Sequence, residues 1–152
     1  MREFTMVTPQ TWQSKKFRAL STEGKLAFLY MMAGPHQNSA GAYRLPDVYA
    51  LGDLDWPEAK FTAARKEVVN AGLVIYDEDT GELYIPGWFS WNQIDNASHA
   101  KGTSRFVSSI ESDLVREAME PEVDAEIQRY EERQAAKRSN AVVSSLNQRF
   151  GR

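Results

Sequence analysis

The chain has 152 residues, 42% of them hydrophobic, with four Trp, no Cys and a formal net charge of −3. That length holds one domain with a real core, or a domain of about 90 residues with a helical appendage, but not two large domains. The absence of cysteine excludes disulfide scaffolds, thiol catalysis and thiolate metal sites. The negative total argues against a non-specific DNA coat, because affinity for phosphate comes from cations that displace counterions.

Residues 8–18 read as a short leading helix or turn, with Trp12 and Phe17 available as anchors. A longer helix follows. Ser21 is its N-cap and Glu23 sits in the electropositive first turn. Leu26, Phe28, Leu29, Met31 and Met32 give it an almost continuous apolar body up to Gly34-Pro35. So apolar a helix is predicted to be central. After the polar loop HQNSAGA, residues 42–45 alternate like a strand that could pair with a later hairpin.

Pro46 opens a short helix over about 46–52, ended by Gly52. Asp55 then resembles an N-cap with Glu58 three residues on, a capping box, and Pro57 falls in the first turn. The helix over about 56–71 places Phe61, Ala64, Val68 and Val69 on one side and Ala59, Thr62, Ala63, Lys66 and Asn70 on the other, with Gly72 as its C′ residue. Two β-prone runs, 73–76 and 82–85, flank Asp77-Glu78-Asp79-Thr80-Gly81, a hairpin with Gly near the position needing positive φ. Trp88-Phe89-Ser90-Trp91 is expected to close the unit by packing back on it, and of Trp12, Phe28, Tyr30, Trp56, Phe61, Trp88, Phe89 and Trp91, which could stack bases, most are assigned to the core.

Composition turns polar after Asn92, which places a boundary between residues 1–95 and a C-terminal helical extension, 96–152. Phe106, Ile110, Leu114 and Ala118, joined by Val107 and Val115, predict a helix over about 104–118. Pro121 starts another, with Val123, Ile127 and Tyr130 on one stripe. Val142, Val143, Leu146 and Phe150 recur at helical spacing behind Asn140 as a cap.

A short helix, a tight turn, a longer helix and a β-hairpin, over residues 45–88, is the order of a winged helix-turn-helix, so the expected class is α+β with a helical extension. In that architecture the second helix of the turn unit enters the major groove and the wing tip approaches the minor groove or the backbone. Lys60, Thr62, Ala63 and Lys66, with Arg65 at the margin, then meet base edges or phosphates of double-stranded DNA, and Lys15, Lys16, Arg44, Lys101 and Arg105 are candidate phosphate clamps. The bland reading of each cation is a solvated surface charge.

The wing points the other way, because Asp77, Glu78, Asp79 and Glu82 would meet phosphate with like charge. They suit a second reading, in which the fold binds a host protein through an acidic contact or DNA mimic. The stripe of Tyr130, Val142, Leu146 and Phe150 is too narrow for a separate core and suits self-association into a homodimer or another partner surface. Enzymatic readings have little support. His36 and His99 lie in separate polar loops, and there is no phosphate-binding glycine loop or nucleophile elbow, so no metal or cofactor is implied. No apolar run is long enough for a membrane span or a signal-peptide core, which leads to an expected cytoplasmic location.

Trp12 followed by Lys16-Phe17, Leu20-Ser21, Gly24-Lys25 and Phe28-Leu29-Tyr30 forms the first part of a recognisable pattern. Gly34-Pro35-His36, Gly41-Ala42-Tyr43, Gly72-Leu73 and Tyr84-Ile85-Pro86-Gly87-Trp88 complete it. Over about residues 10–100 it resembles the winged-helix N-terminal domains of phage and prophage replication proteins of the replisome-organiser or initiator type. The resemblance implies a role in DNA replication or transcription control and a bacterial host cytoplasm. Proteins of that type continue into a second domain that binds a helicase or its loader, where this sequence has only helices and a charged tail. A phage-encoded accessory protein fits that length better.

Overall fold

The computed structural model describes residues 5–150; along the last helix the side chains of Val142 and of residues 144–150 lie outside that description. Two short helices, α1 (Pro9–Gln13) and α2 (Lys15–Ala19), stand where one helix or turn was expected. Ser14 divides them, accepting from the Phe17 N–H as the N-cap of α2. Then come α3 (Thr22–Ala33), β1 (Ala42–Arg44), α4 (Asp47–Leu54), α5 (Glu58–Asn70), β2 (Ile75–Tyr76), β3 (Glu82–Tyr84), a 3₁₀ turn (Trp88–Ser90), α6 (Ala97–Ser109) and α7 (Asp113–Phe150). The class is α+β.

Ser21 caps α3 as expected, accepting from the Gly24 N–H. Its own N–H and hydroxyl donate to the Glu67 carboxylate of α5, at 2.6 and 2.5 Å, which ties the helix start to a neighbouring helix. Gly24 makes this possible: a Cβ there would lie 2.4 Å from a Glu67 oxygen. These bonds hold the Glu67 carboxyl below its ordinary range.

Two boundaries differ from expectation. Gly52 does not end α4, which runs on so that Leu51 and Leu54 reach the core; Asp55, in left-handed conformation at φ 52°, stops it. Asp55 is therefore not the N-cap of α5 and there is no capping box. The residue before a proline is pushed out of the helical region, so α5 begins only after Pro57.

The three strands form one antiparallel sheet in the order β1-β3-β2, with Tyr43 opposite Leu83 and Ile75 opposite Tyr84. All three β3 residues are buried, so both faces of the central strand are covered. On one face the Tyr43 hydroxyl donates to the Met31 carbonyl of α3 at 2.6 Å. On the other, Glu82 reaches the start of α7. Gly41, at φ 69°, lets the chain pass the Trp88 ring, which a Cβ there would meet at 2.3 Å. The Trp88 indole donates to the Ser39 carbonyl.

The residues beyond 95 share the same core. Val107, Ile110, Val115, Met119 and Val123 are buried with the sheet and α3 residues. Their helices are not those predicted. Asn96 caps an earlier helix, α6, which stops at Ser109; Ser112 then caps α7 by accepting from the Val115 N–H. This break rotates the buried face, so Leu114, expected inside, is 54% exposed. Pro121 starts no helix and Asn140 caps none, since both lie within α7. Proline in a helix interior costs about 3 kcal/mol. Burying Val115, Met119 and Val123 offsets this at roughly 1.5–3 kcal/mol each. The carbonyl that loses its bond, that of Glu117, belongs to an exposed residue and can bond water.

Glu126 fastens α7 to the loop before α6. Fully buried, it accepts from the Ile94 N–H at 2.9 Å and from Arg129 and Arg133 at 2.8 Å each. Burial alone raises a carboxyl's pKa; here the Arg133, Ile94 and Arg129 donors outweigh it and hold Glu126 below its ordinary range. A folded-state pKa below the unfolded value of 4.5 contributes stability above that pH, which is lost as pH falls through the folded value. Glu126→Ala leaves Arg133 partly buried without its carboxylate and is expected to lower stability at neutral pH by about 3–5 kcal/mol. Urea midpoints at about pH 7 and about pH 4 check both points: the gap between wild type and variant should narrow in acid.

Candidate nucleic-acid interface

Helix α5 packs Phe61, Ala64 and Val68 inward. On its solvent side Glu58, Ala59, Thr62, Ala63 and Lys66 line a shallow open depression. This is the face predicted to read DNA, and no other described element covers it. Lys60 flanks it, with its ammonium 4.4 Å from the Trp56 ring centroid and 3.8 Å from Glu23. Lys66 is exposed.

Arg65 does not belong to that face. Its side chain is only 7% exposed and pairs with Asp47 of α4 and, at 3.7 Å, with Glu78 of the hairpin. Its guanidinium lies 4.2 Å from the Tyr76 ring centroid. A planar cation stacked on an aromatic ring and bonded to a carboxylate is a packing element rather than a probe of DNA. The signal was present in the sequence: from Phe61, position 65 is the i+4 member of the buried stripe 61, 64, 65, 68.

The other predicted clamps scatter. Lys16 donates to the Gly72 carbonyl at 3.2 Å and so covers the C-terminal end of α5. Lys15 is exposed on α2. Arg44 is exposed at the base of the hairpin, in a depression it shares with Asp47, Arg65, Glu78 and Asp79. Lys101 and Arg105 lie on α6, which packs against α7 rather than α5, and so do not flank the reading face.

The wing acids are mostly engaged. Glu82 is buried and accepts from the N–H groups of Glu111 at 3.0 Å and Ser112 at 2.7 Å, so it is no partner contact but the anion at the positive end of α7. Asp77 bonds the Ser112 side chain first, then Asp79 and Thr80, which keeps its carboxyl below the ordinary range. Glu78 pairs with Arg65. Of the four, only the side chain of Asp79 has no bond among the described residues. Of the predicted partner stripe, Tyr130 packs half-buried on the molecule's own core, while the side chains of Val142, Leu146 and Phe150 lie outside the described residues.

Tertiary structure also joins residues the sequence kept apart. The Tyr30 hydroxyl donates to Asp53 at 2.6 Å, His36 Nε2 lies 3.1 Å from the same oxygen, and the His36 ring stacks on Tyr49 at 4.7 Å. The Tyr30 bond and then His36 hold Asp53 below its ordinary range, while burial and Asp53 push Tyr30 upward. This cluster links α3, the following loop and α4. An apolar cleft of about 230 Å³ opens between Met6, Phe17, Phe28, Trp88 and Trp91, with Trp91 52% exposed and, nearby, Trp12 57% exposed against the Phe17 edge; neither Trp is a core residue. Among the described residues no group of three His, Cys, Asp or Glu is placed to hold a metal ion, and no helix is long and apolar enough to cross a membrane.

In comparisons by sequence and by fold, no family model, curated protein or solved structure matches the chain.

Arg65→Ala is expected to lower stability by about 2–4 kcal/mol, since it leaves Asp47 unpaired beside Tyr76 and opens a void. Lys66→Ala should change it by under about 0.5 kcal/mol. Thermal or urea unfolding of the two variants separates a structural from a surface cation.

Proposed function

We propose that residues 22–85 form a winged helix and that the protein binds double-stranded DNA through the open face of α5, without catalysis. The observation that carries the reading is that face: small side chains at Ala59, Thr62 and Ala63, with Lys60, Lys66 and one acid, Glu58, beside them and no covering element among the described residues. Small residues let a helix approach base edges closely, and the lysines supply phosphate or guanine contacts. The element order α3-β1-α4-α5-β2-β3, with β1 pairing to the far strand of the hairpin, supports the winged-helix assignment. A place in phage replication or transcription control, in a bacterial cytoplasm, follows from the sequence resemblance.

The rival reading, an acidic wing that contacts a host protein, draws less support from these interactions. Glu82 is withdrawn into the core, Asp77 is bonded within the molecule, and Glu78, though exposed, lies 3.7 Å from Arg65. One unengaged carboxylate, Asp79, is a weak acidic surface and a weak obstacle to a phosphate backbone.

Fluorescence anisotropy with labelled duplex fragments tests the proposal. Lys60→Ala with Lys66→Ala should weaken binding and reduce the slope of log K against log salt by about 0.9 for each phosphate no longer neutralised. Asp79→Lys should tighten binding where the wing lies near the backbone, with the effect fading at high salt. Absence of wild-type binding to genomic duplex fragments at about 50 mM salt overturns the reading.

A further inference from the structure

Helix α7 is electrically divided along its length. From Asp113 to Glu132 it carries eight acids against Arg116 and Arg129, whereas from Arg133 onward the chain holds Lys137, Arg138, Arg149 and Arg152 with no further acid. At 38 residues the helix is about 57 Å long. Its inner edge is occupied: Val115, Met119, Val123 and Glu126 are buried against the sheet and the loop before α6. Its outer edge is not. Leu114 is 54% exposed, Pro121, Ala125 and Gln128 are exposed, and Ala118 is half-buried, all at helical spacings of three and four.

Along one flank of this row run Glu117, Glu120, Asp124 and Glu131, exposed and without an ion pair among the described residues. The row continues as Glu132, Ala135 and Ser139, all exposed, and the same flank now presents Arg138. Lys137, Arg138 and Val143, the last 55% exposed, likewise have no described partner.

We propose that α7 pairs antiparallel with α7 of a second copy of the chain. Antiparallel is the orientation that fits the charges. It lays Arg138 of each helix beside Glu120 and Asp124 on the acid flank of the other, with the two-fold axis between Gln128 and Glu132. Parallel pairing would set acids against acids and cations against cations, which flanking positions of helix pairs avoid. Within the row Ala125 then faces Ala135, Gln128 faces Glu132 and Pro121 faces Ser139 of the other copy, a narrow seam of small residues shared symmetrically. The pairing does not depend on DNA binding by α5.

The full-length chain is tested by light scattering and sedimentation over about 1–100 μM. A dimer is expected at low salt, weakening near 1 M, where the Debye length falls to about 3 Å. Arg138→Glu should be monomeric, as should Glu117→Lys, Glu120→Lys and Asp124→Lys together. All these sites are exposed, so unfolding midpoints should stay near wild type, and an equimolar mixture of the two variants should restore the dimer. Direction is read by disulfides, since the chain has no cysteine of its own. Ala125→Cys and Ala135→Cys, mixed, should cross-link to each other, and each alone should not. A monomeric wild type, a mixture that stays monomeric, or self-cross-linking of each single variant overturns the proposal. So does a basic-half variant that stays dimeric and loses only duplex affinity.

Discussion

The architecture depends on the burial of a three-residue strand on both faces. Leu83 and its cross-strand neighbour Tyr43 look toward α3, while Glu82 and Tyr84 look toward α7. A carboxylate in that position is costly unless its charge is met, and Glu82 accepts from the N–H groups of Glu111 and Ser112 just before a long helix. The same bonds fix where α7 begins and how it lies across the sheet. What is a solvated turn in isolation becomes, at Asp77 and Glu82, the anchor of the C-terminal third of the molecule.

That arrangement changes how surface charge should be counted. In composition the hairpin is strongly acidic and α5 moderately basic. In the folded molecule Glu82 is internal, Asp77 bonds Ser112, and Glu78 and Asp47 share Arg65. A cation stacked on Tyr76 and bonded to Asp47 is worth more as a joint between α4, α5 and the hairpin than as an exposed charge. Among the described residues, Lys60, Lys66 and the opposing Glu58 set the electrostatics of the open α5 face, a modest patch of mixed sign. On the proposed reading, affinity for DNA would come from shape and close approach more than from charge alone.

Two buried carboxylates, Glu82 and Glu126, bracket the part of α7 that lies on the domain. One meets backbone donors at the helix start and the other meets Ile94, Arg129 and Arg133 a few turns later. Between them the helix accepts an interior proline because the packed residues on either side of it stabilise more than the lost bond costs. Beyond Arg133 the sign of the exposed charge reverses while the helix runs on.

Local physics was legible in the residues. Ser21 as a cap, Gly72 beyond α5, the hairpin turn at Gly81, the strand at 42–44 and the inward set Phe61, Ala64 and Val68 all follow from capping chemistry, positive φ and helical period, which act over a few residues. The stop of α4 at Asp55 and the late start of α5 after Pro57 were mistaken because two local rules competed there and the steric restriction before proline won over the capping box. What only tertiary structure decided was the partnering of charges. That Arg65 turns to Asp47, that Glu82 reaches the N–H of Ser112, that Glu126 and Arg133 meet at Ile94 and that Tyr30, Asp53 and His36 come together depends on residues up to 39 apart in the chain, joined by the packing of helices on both faces of the sheet. Sequence periodicity tells which side of an element is apolar, but not which ion lies opposite, because that is fixed by the relative placement of whole elements.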